Sequence, residues 1–102
     1  MSRPELLDDE RIDDELEDLV NWKKEGKEIK REIVAADFAS AIGFVNSVAI
    51  ISERMDHHPK IEIYGWNKVR ISVSTHDAGG LTELDFRLAK KIDSIRLNSN
   101  EE

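Results

Sequence analysis

Apolar and polar residues follow two different periods along the chain. From the N-terminus, apolar residues recur every three to four positions between acidic ones, a spacing typical of an amphipathic helix over about residues 8–19. These apolar residues are Leu6, Leu7, Ile12, Leu16, Leu19 and Val20. Beyond Val20 the period shortens to two, and the prediction changes from helix to strand.

Two strands are predicted next, on either side of Gly26. They span residues 20–25 and 27–34. In the second strand Ile29, Arg31 and Ile33 fall on one side, and the alternate positions are charged. Because Gly26 is a turn residue between two such runs, the strands are predicted to form a hairpin.

A longer helix is predicted from Phe38 to about Arg54, with Asp37 as its N-cap. Its apolar stripe is expected to face the core, which would make this the most buried helix. The stripe consists of Phe38, Ile42, Val45, Ala49 and Ser52. Small residues at 39–43 would let a neighbouring element approach closely.

Two further alternating runs follow Pro59 and predict a second hairpin, with its turn at Gly65 and Asn67. The strands cover residues 61–64 and 67–75. Gly79–Gly80 end the second of them.

The last predicted helix begins with a capping box, in which Thr82 is the N-cap and Asp85 its partner. Leu81 and Phe86 have the spacing of a hydrophobic staple. The apolar stripe of this helix consists of Leu84, Leu88, Ile92 and Ile95. The polar tail 98–102 is expected to be frayed.

The predicted order of elements is αββαββα. An α+β fold, in which a four-stranded antiparallel sheet carries three helices on one face, is the most economical packing of these elements. The 102 residues fit one small domain over 1–102, with an acidic N-terminal helix within 1–19. A core of this size favours oligomerisation as a source of further burial.

The charge of the chain is concentrated at its N-terminus. Residues 1–19 hold nine acidic and two basic side chains, which accounts for the whole net charge of −7. A basic footprint is absent, so direct binding of DNA or RNA is not expected. No apolar run is long enough to span a membrane, and the acidic start does not resemble a secretory signal. The chain has no cysteine, which excludes disulfides and thiolate chemistry, and the cytoplasm is the expected compartment.

All three histidines of the chain are expected to meet at the open end of the second hairpin. With the turn near residues 65–67, the strand pairing places His57 opposite His76 or close to it, and His58 opposite Thr75. A slip of one residue would turn these side chains to the other face. Since imidazole titrates near neutrality, such a group can supply both an acid and a base at pH 7.

Two carboxylates lie close to this group in the sequence, and either Glu53 or Asp56 is expected to orient an imidazole. The structural alternative is that histidines at helix and strand ends only cap or hydrogen-bond. Three imidazoles can hold zinc, but the adjacent His57 and His58 would point apart in an extended chain, so a metal is not expected. Ser74 lacks the glycine-flanked elbow of a nucleophilic serine.

Three motifs, taken in this order, resemble those of the pterin-4a-carbinolamine dehydratase (DCoH) family. They are Glu53–Pro59 (ERMDHHP), Asn67–Val69 (NKV) and Ser74–Thr82 (STHDAGGLT), followed by Asp85. Weaker matches at Trp22, Asp37–Phe38 and Gly43–Phe44 extend the resemblance over most of residues 20–96. The combination of the two histidine motifs is specific, whereas neither half alone would be.

The resemblance implies a hydro-lyase that dehydrates 4a-hydroxytetrahydropterin to quinonoid dihydropterin, in tetrahydrobiopterin recycling, with no metal and no organic cofactor. It implies that the catalytic residues are His57, His58 and His76. It implies that the substrate-binding residues are Asp56, Ser74, Thr75 and Asp77, with Glu53 in a supporting role. Asp85 and Thr82 are expected to cap the last helix, and Trp22 to pack in the core.

Binding to another protein is the alternative function that the resemblance implies. Some members of the family act as dimerisation or assembly partners, including one for a homeodomain transcription factor. A homodimer or homotetramer is therefore expected, with the last helix as an interface if its apolar stripe outgrows the core. The presence of all three histidines favours the enzyme, and a different reaction on a pterin ring stays open.

The sequence departs from the family pattern at one point. The family usually places an aromatic residue six positions after the proline, but here Gly65 occupies that position and Trp66 comes one later. The stretch from Pro59 to His76 is thus one residue longer than usual. A β-bulge is expected to absorb the extra residue.

Overall fold

The computed structural model describes residues 4–97. The elements are α1 (Asp9–Glu17), β1 (Lys23–Glu25), β2 (Glu28–Val34), α2 (Phe38–Met55), β3 (Lys60–Tyr64), β4 (Lys68–Val73), a 3-10 turn (His76–Ala78) and α3 (Glu83–Asp93). The α+β class and the predicted order of helices and strands are confirmed. The tail 98–102, predicted to be frayed, lies outside the described residues.

The four strands form one antiparallel sheet in the order β1-β2-β4-β3. Ile29 lies opposite Val73, and Ile61 opposite Ile71, and residues paired in this way share a face of the sheet. This apolar face packs with the helices into one core. The core includes Ile29, Ile33, Val69, Ile71 and Val73 of the sheet, Ala41, Phe44 and Val48 of α2, and Phe86, Leu88, Ala89 and Ile92 of α3.

The opposite face of the sheet is charged. Glu32 accepts hydrogen bonds from the Tyr64 hydroxyl at 2.8 Å and from Arg70 Nε at 3.3 Å. The hydrogen bond from Tyr64, followed by that from Arg70, lowers the pKa of Glu32 below its ordinary value. The same contact with Glu32 raises the pKa of Tyr64. Charged groups on this face therefore pair with one another across the strands.

The prediction for the inward face of α2 is wrong. The buried residues of α2 are Ala41, Phe44, Val48 and Ser52. Of the predicted stripe, Ser52 is buried, Val45 is half-buried, and Phe38, Ile42 and Ala49 are exposed. The cause is that α2 carries apolar residues on more than one side, so their spacing does not identify the inward face. With five buried residues of eleven, against four of eighteen in α2, α3 is the more buried helix.

The capping box of α3 is confirmed, and the apolar stripe of this helix belongs to the core. Leu88 and Ile92 are buried, and Leu84 and Ile95 are half-buried. The stripe does not outgrow the core, so α3 does not provide the exposed apolar face expected of an interface. Within the described residues that feature is found on α2 instead.

The extra residue before Asn67 lies in the turn of the second hairpin. Pairing of β3 with β4 is unbroken from Lys60 opposite Ser72 to Tyr64 opposite Lys68. Gly65 and Trp66 both have left-handed backbone, with φ of 55° and 61°, which reverses the chain sharply. The β-bulge expected in the strands is therefore wrong, because the turn absorbs the added residue.

Candidate active site

Two consecutive histidines follow the C-terminus of α2 and differ in burial. Asp56 adopts a left-handed conformation (φ 52°, ψ 42°). Its amide donates to the Glu53 carbonyl at 3.2 Å, and the His57 amide donates to the Ser52 carbonyl at 3.1 Å. This is a helix ending in which glycine is usual at the left-handed position, so the aspartate there is strained. After the reversal His57 is buried and His58 is exposed.

The third histidine lies on a short closed loop between β4 and α3. The Thr75 amide donates to the Gly80 carbonyl at 2.8 Å, and the Gly80 amide donates back at 3.3 Å. Between them His76 starts the 3-10 turn, which ends at Gly79 with a φ of 77°. His76 is therefore held at the surface by a loop that is tied at its base.

A cavity of about 260 Å³ lies between the end of α2 and this loop. It is lined by Asp56, His57, His58, Ser74, Thr75, His76 and Asp77. These are the three predicted catalytic residues and the four predicted substrate-binding residues. The eighth predicted site residue, Glu53, is outside this lining. Its Oε1 lies 2.9 Å from His58 Nε2.

A buried carboxylate holds the buried histidine. Asp85 is fully buried, and its Oδ1 lies 2.6 Å from His57 Nε2. Its Oδ2 accepts from the Thr75 hydroxyl and from the Thr82 amide, both at 2.8 Å. Since an ionised carboxylate only accepts, His57 donates through Nε2, and the neutral ring then carries its lone pair on Nδ1.

The threonines complete this network. The Thr75 hydroxyl has one hydrogen and gives it to Asp85, so at 2.7 Å the Thr82 hydroxyl donates to Thr75 Oγ1. The Thr82 hydroxyl oxygen also accepts from the Leu84 amide at 3.2 Å. The start of α3 and the base of the histidine loop are thus joined through the same carboxylate.

Sequence reasoning missed the link between Asp85 and His57. The predicted capping role of Asp85 is confirmed, but the second oxygen of the same carboxylate reaches a histidine 28 positions away. No local signal pointed to this contact, because the capping box follows the motif of His76, whereas the carboxylate reaches His57 of the other motif. Trp22 is buried and donates to Asp93 at 2.9 Å, as expected of a core residue.

The described residues offer few alternatives to this site. Among residues 4–97, no three His, Cys, Asp or Glu side chains are placed to hold a metal ion. Across the same range, the helices are too short or too polar to cross a membrane.

The family model for pterin 4 alpha carbinolamine dehydratase matches residues 5–95. The chain belongs to this family. A relative from Roseiflexus castenholzii, named "Putative pterin-4-alpha-carbinolamine dehydratase", is 50% identical over 90 residues, which are 88% of this chain and 96% of the relative. A relative of the same name from Sulfurisphaera tokodaii is 43% identical over 87% of this chain and 95% of its own.

Solved structures that resemble the chain include the following two. The transcriptional coactivator/pterin dehydratase from Brucella melitensis superposes with a TM-score of 0.81 at 32% identity, over 86% of this chain and 95% of that one. A pterin dehydratase-like protein, identified as a RuBisCO assembly factor in the alpha-carboxysome, gives a TM-score of 0.61 over 72% of this chain and 87% of its own. At 23% identity this second likeness concerns the fold alone. The comparisons assign the chain to a family of hydro-lyases.

Proposed function

We propose that the chain dehydrates 4a-hydroxytetrahydropterin to quinonoid dihydropterin and so takes part in tetrahydrobiopterin recycling. The observation that carries the proposal is the meeting of His57, His58 and His76 at one cavity, with a buried carboxylate on the first of them. Membership of the dehydratase family supports the same reaction.

The reaction needs two proton movements. The bond between the 4a carbon and its hydroxyl oxygen breaks as that oxygen takes up a proton. A ring nitrogen loses a proton, its electrons form a double bond to the 4a carbon, and one water leaves. An acid and a base held on opposite sides of a small cavity can perform both steps.

His58 and His76 suit the two proton transfers, because both are exposed and line the cavity from different elements, the end of α2 and the 3-10 turn. His57, held through Nε2 by Asp85, has a positioning or supporting acid role. Glu53 orients His58 through the contact at 2.9 Å. Polar groups of the substrate ring are bound by the other lining residues, Asp56, Ser74, Thr75 and Asp77.

The test is the rate of dehydration of freshly generated 4a-hydroxytetrahydropterin, with the spontaneous rate subtracted. We expect metal-free protein to accelerate the reaction, because the proposed chemistry uses imidazoles alone. If folded protein produces no acceleration, the proposal fails, and a non-catalytic role as an assembly partner takes its place.

Self-association is a second proposal, carried by the exposed side of α2. Phe38, Ile42 and Ile50 are 53%, 37% and 57% exposed. From Phe38 to Ser52 the helix has no charged residue, although the chain as a whole carries −7. An uncharged apolar face can meet a second copy of itself without like-charge repulsion, as a two-fold interface requires. A homodimer or homotetramer through α2 is the proposed state.

Replacing Ile42 with glutamate is expected to shift the oligomer to monomer, because it buries a charge in the paired face. Sedimentation or light scattering measures the mass of each variant. Val20→Glu is the matched control, since Val20 is 84% exposed and lies outside α2. A wild-type monomer at high concentration, or an Ile42→Glu oligomer equal to the wild type, would refute the interface.

A further inference from the structure

The N-terminal segment before α1 touches the loop that carries His76. The Leu7 amide donates to the Leu81 carbonyl at 2.9 Å. Leu6 lies against the preceding residue, Gly80, so closely that a Cβ atom there would be 2.9 Å from Leu6 Cδ2. Two successive residues of the segment therefore contact Gly80, which closes the loop, and Leu81, which follows it.

A side chain at position 80 would meet the end of the Leu6 side chain. Gly79 needs the freedom of glycine for its positive φ, but Gly80 is not among the residues with positive φ. At Gly80 the backbone conformation does not call for glycine, and space is the limit. A side chain at this position would push Leu6 away.

Residues 4–7 of the segment are half-buried or exposed. A space of about 440 Å³ separates it from the first turns of α3. This space is lined by Pro4, Glu5, Leu7, Arg11, Glu83, Leu84 and Arg87. Leu7 packs partly on the core, whereas Leu6 is 57% exposed. The apolar side chain of Leu6 thus has the loop as its neighbour rather than the core.

A displacement of the loop base would reach the site through two hydrogen-bonded steps. Gly80 is bonded to Thr75 through both backbone groups. The Thr75 hydroxyl donates to Asp85, which also binds His57. The same loop carries His76, so the positions of His57 and His76 both depend on where the loop base lies.

We propose that Leu6 and Leu7 are positioning residues of the candidate active site, which hold the loop Ser74–Gly80 against α3 and thereby set the geometry of His76 and Thr75. Neither leucine lines the cavity. The kinetic part of this inference rests on the proposed dehydratase function, whereas its structural part does not.

Amide hydrogen exchange tests the structural part in the intact chain. Leu6→Ala is expected to speed exchange at the Thr75 and Gly80 amides about fivefold, because the loop base loses a packing contact. The Ala35 amide, bonded to Asn67 at the far end of β4, serves as the internal control and should not change. Unchanged exchange at Thr75 and Gly80 would overturn the proposal.

The variant Gly80→Ala disturbs the contact between Leu6 and the loop by changing the loop residue instead of the leucine. It should displace Leu6 and speed exchange at Thr75 to a similar extent. The double variant Leu6→Ala, Gly80→Ala should be no worse than either single variant, since all three remove one shared contact. Additive effects would show that the two residues act separately and would refute the proposed pair.

Turnover then tests the positioning role. In Leu6→Ala we expect kcat to fall about tenfold, because a small misplacement of catalytic groups slows the reaction. Leu6→Met should keep the wild-type kcat, because methionine is an apolar side chain of similar length. Val20→Ala is the control for loss of an exposed apolar side chain. If the wild-type protein has no activity, the dehydratase proposal is refuted, and hydrogen exchange alone decides whether Leu6 holds the loop. If the wild-type protein is active and Leu6→Ala leaves kcat unchanged, the positioning role is refuted.

Discussion

Replacing His76 with alanine is expected to lower kcat by about 10²–10⁴-fold, the contribution typical of a side chain that moves a proton in the transition state. The free energy of unfolding should change by less than about 0.5 kcal/mol, as is usual for a surface side chain. His76 is exposed on the 3-10 turn, and its ring makes no hydrogen bond to another side chain within residues 4–97. Dehydration rates, corrected for the spontaneous reaction, measure the loss.

His58→Ala should cause a loss of the same order, because His58 also lines the cavity and is proposed to move the second proton. Arg54→Ala is the matched control: it lies on the same last turn of α2, is exposed, and does not line the cavity. Equal residual activity in the alanine variants of His57, His58 and His76 would contradict the division of roles among them.

Replacing Asp85 with asparagine should affect both activity and stability. Three donors converge on the carboxylate: His57 Nε2, the Thr75 hydroxyl and the Thr82 amide. An amide of the same shape has only one oxygen, so in either orientation its NH₂ group meets a donor. Leaving a buried donor without a partner is expected to cost about 2–3 kcal/mol in the free energy of unfolding, which a small domain survives.

The effect of Asp85→Asn on turnover follows from the ring of His57. If the amide turns its NH₂ group toward His57, Nε2 must accept, and the ring hydrogen moves to Nδ1. The ring then presents a different tautomer and is no longer held by a carboxylate, so its positioning role is lost and kcat is expected to fall about 10²-fold. The pH profile of kcat should change as well, which a loss of stability alone would not cause.

Asp93→Asn is the matched control for this variant. Asp93 is also a carboxylate of α3 with side-chain partners, since it accepts from Trp22 and Arg31, but it lies at the other end of the helix. It should lose stability and keep kcat. If Asp85→Asn also kept kcat in folded protein, Asp85 would be a helix cap and no more.

The features that the sequence predicted well depend on short-range rules. The capping box of α3 needs only Thr82 and Asp85, three positions apart. The convergence of the histidines needs only the turn at residues 65–67 and an unbroken pairing, which the structure provides from Lys60 to Tyr64. The observed register, with Lys60 opposite Ser72, differs by one residue from the predicted pairing of His58 with Thr75. Local chemistry decides such features, so they can be read without knowing what packs on them.

The features that the sequence did not predict depend on tertiary packing. Which side of α2 faces inward depends on how the helix packs against the sheet and α3. Phe38 and Phe44 are equally apolar in the sequence, but only Phe44 is buried. The bond between Asp85 and His57 joins residues that meet only when α3 packs beside the end of α2. The prediction placed the extra residue in a strand, but it lies in the turn, because a turn accepts residues with left-handed backbone at less cost than a paired strand does.

Asp85 serves both the fold and the candidate site, so mutations that accumulate after a loss of function would not be free to replace it. A descendant chain that no longer met its substrate would still need this carboxylate, because the first turn of α3 is built on it. The exposed rings of His58 and His76 are not needed for the fold in this way. An aspartate at this position in a relative therefore says little about activity. Under the proposed mechanism, loss of an exposed histidine would mark a chain that keeps the fold without the reaction.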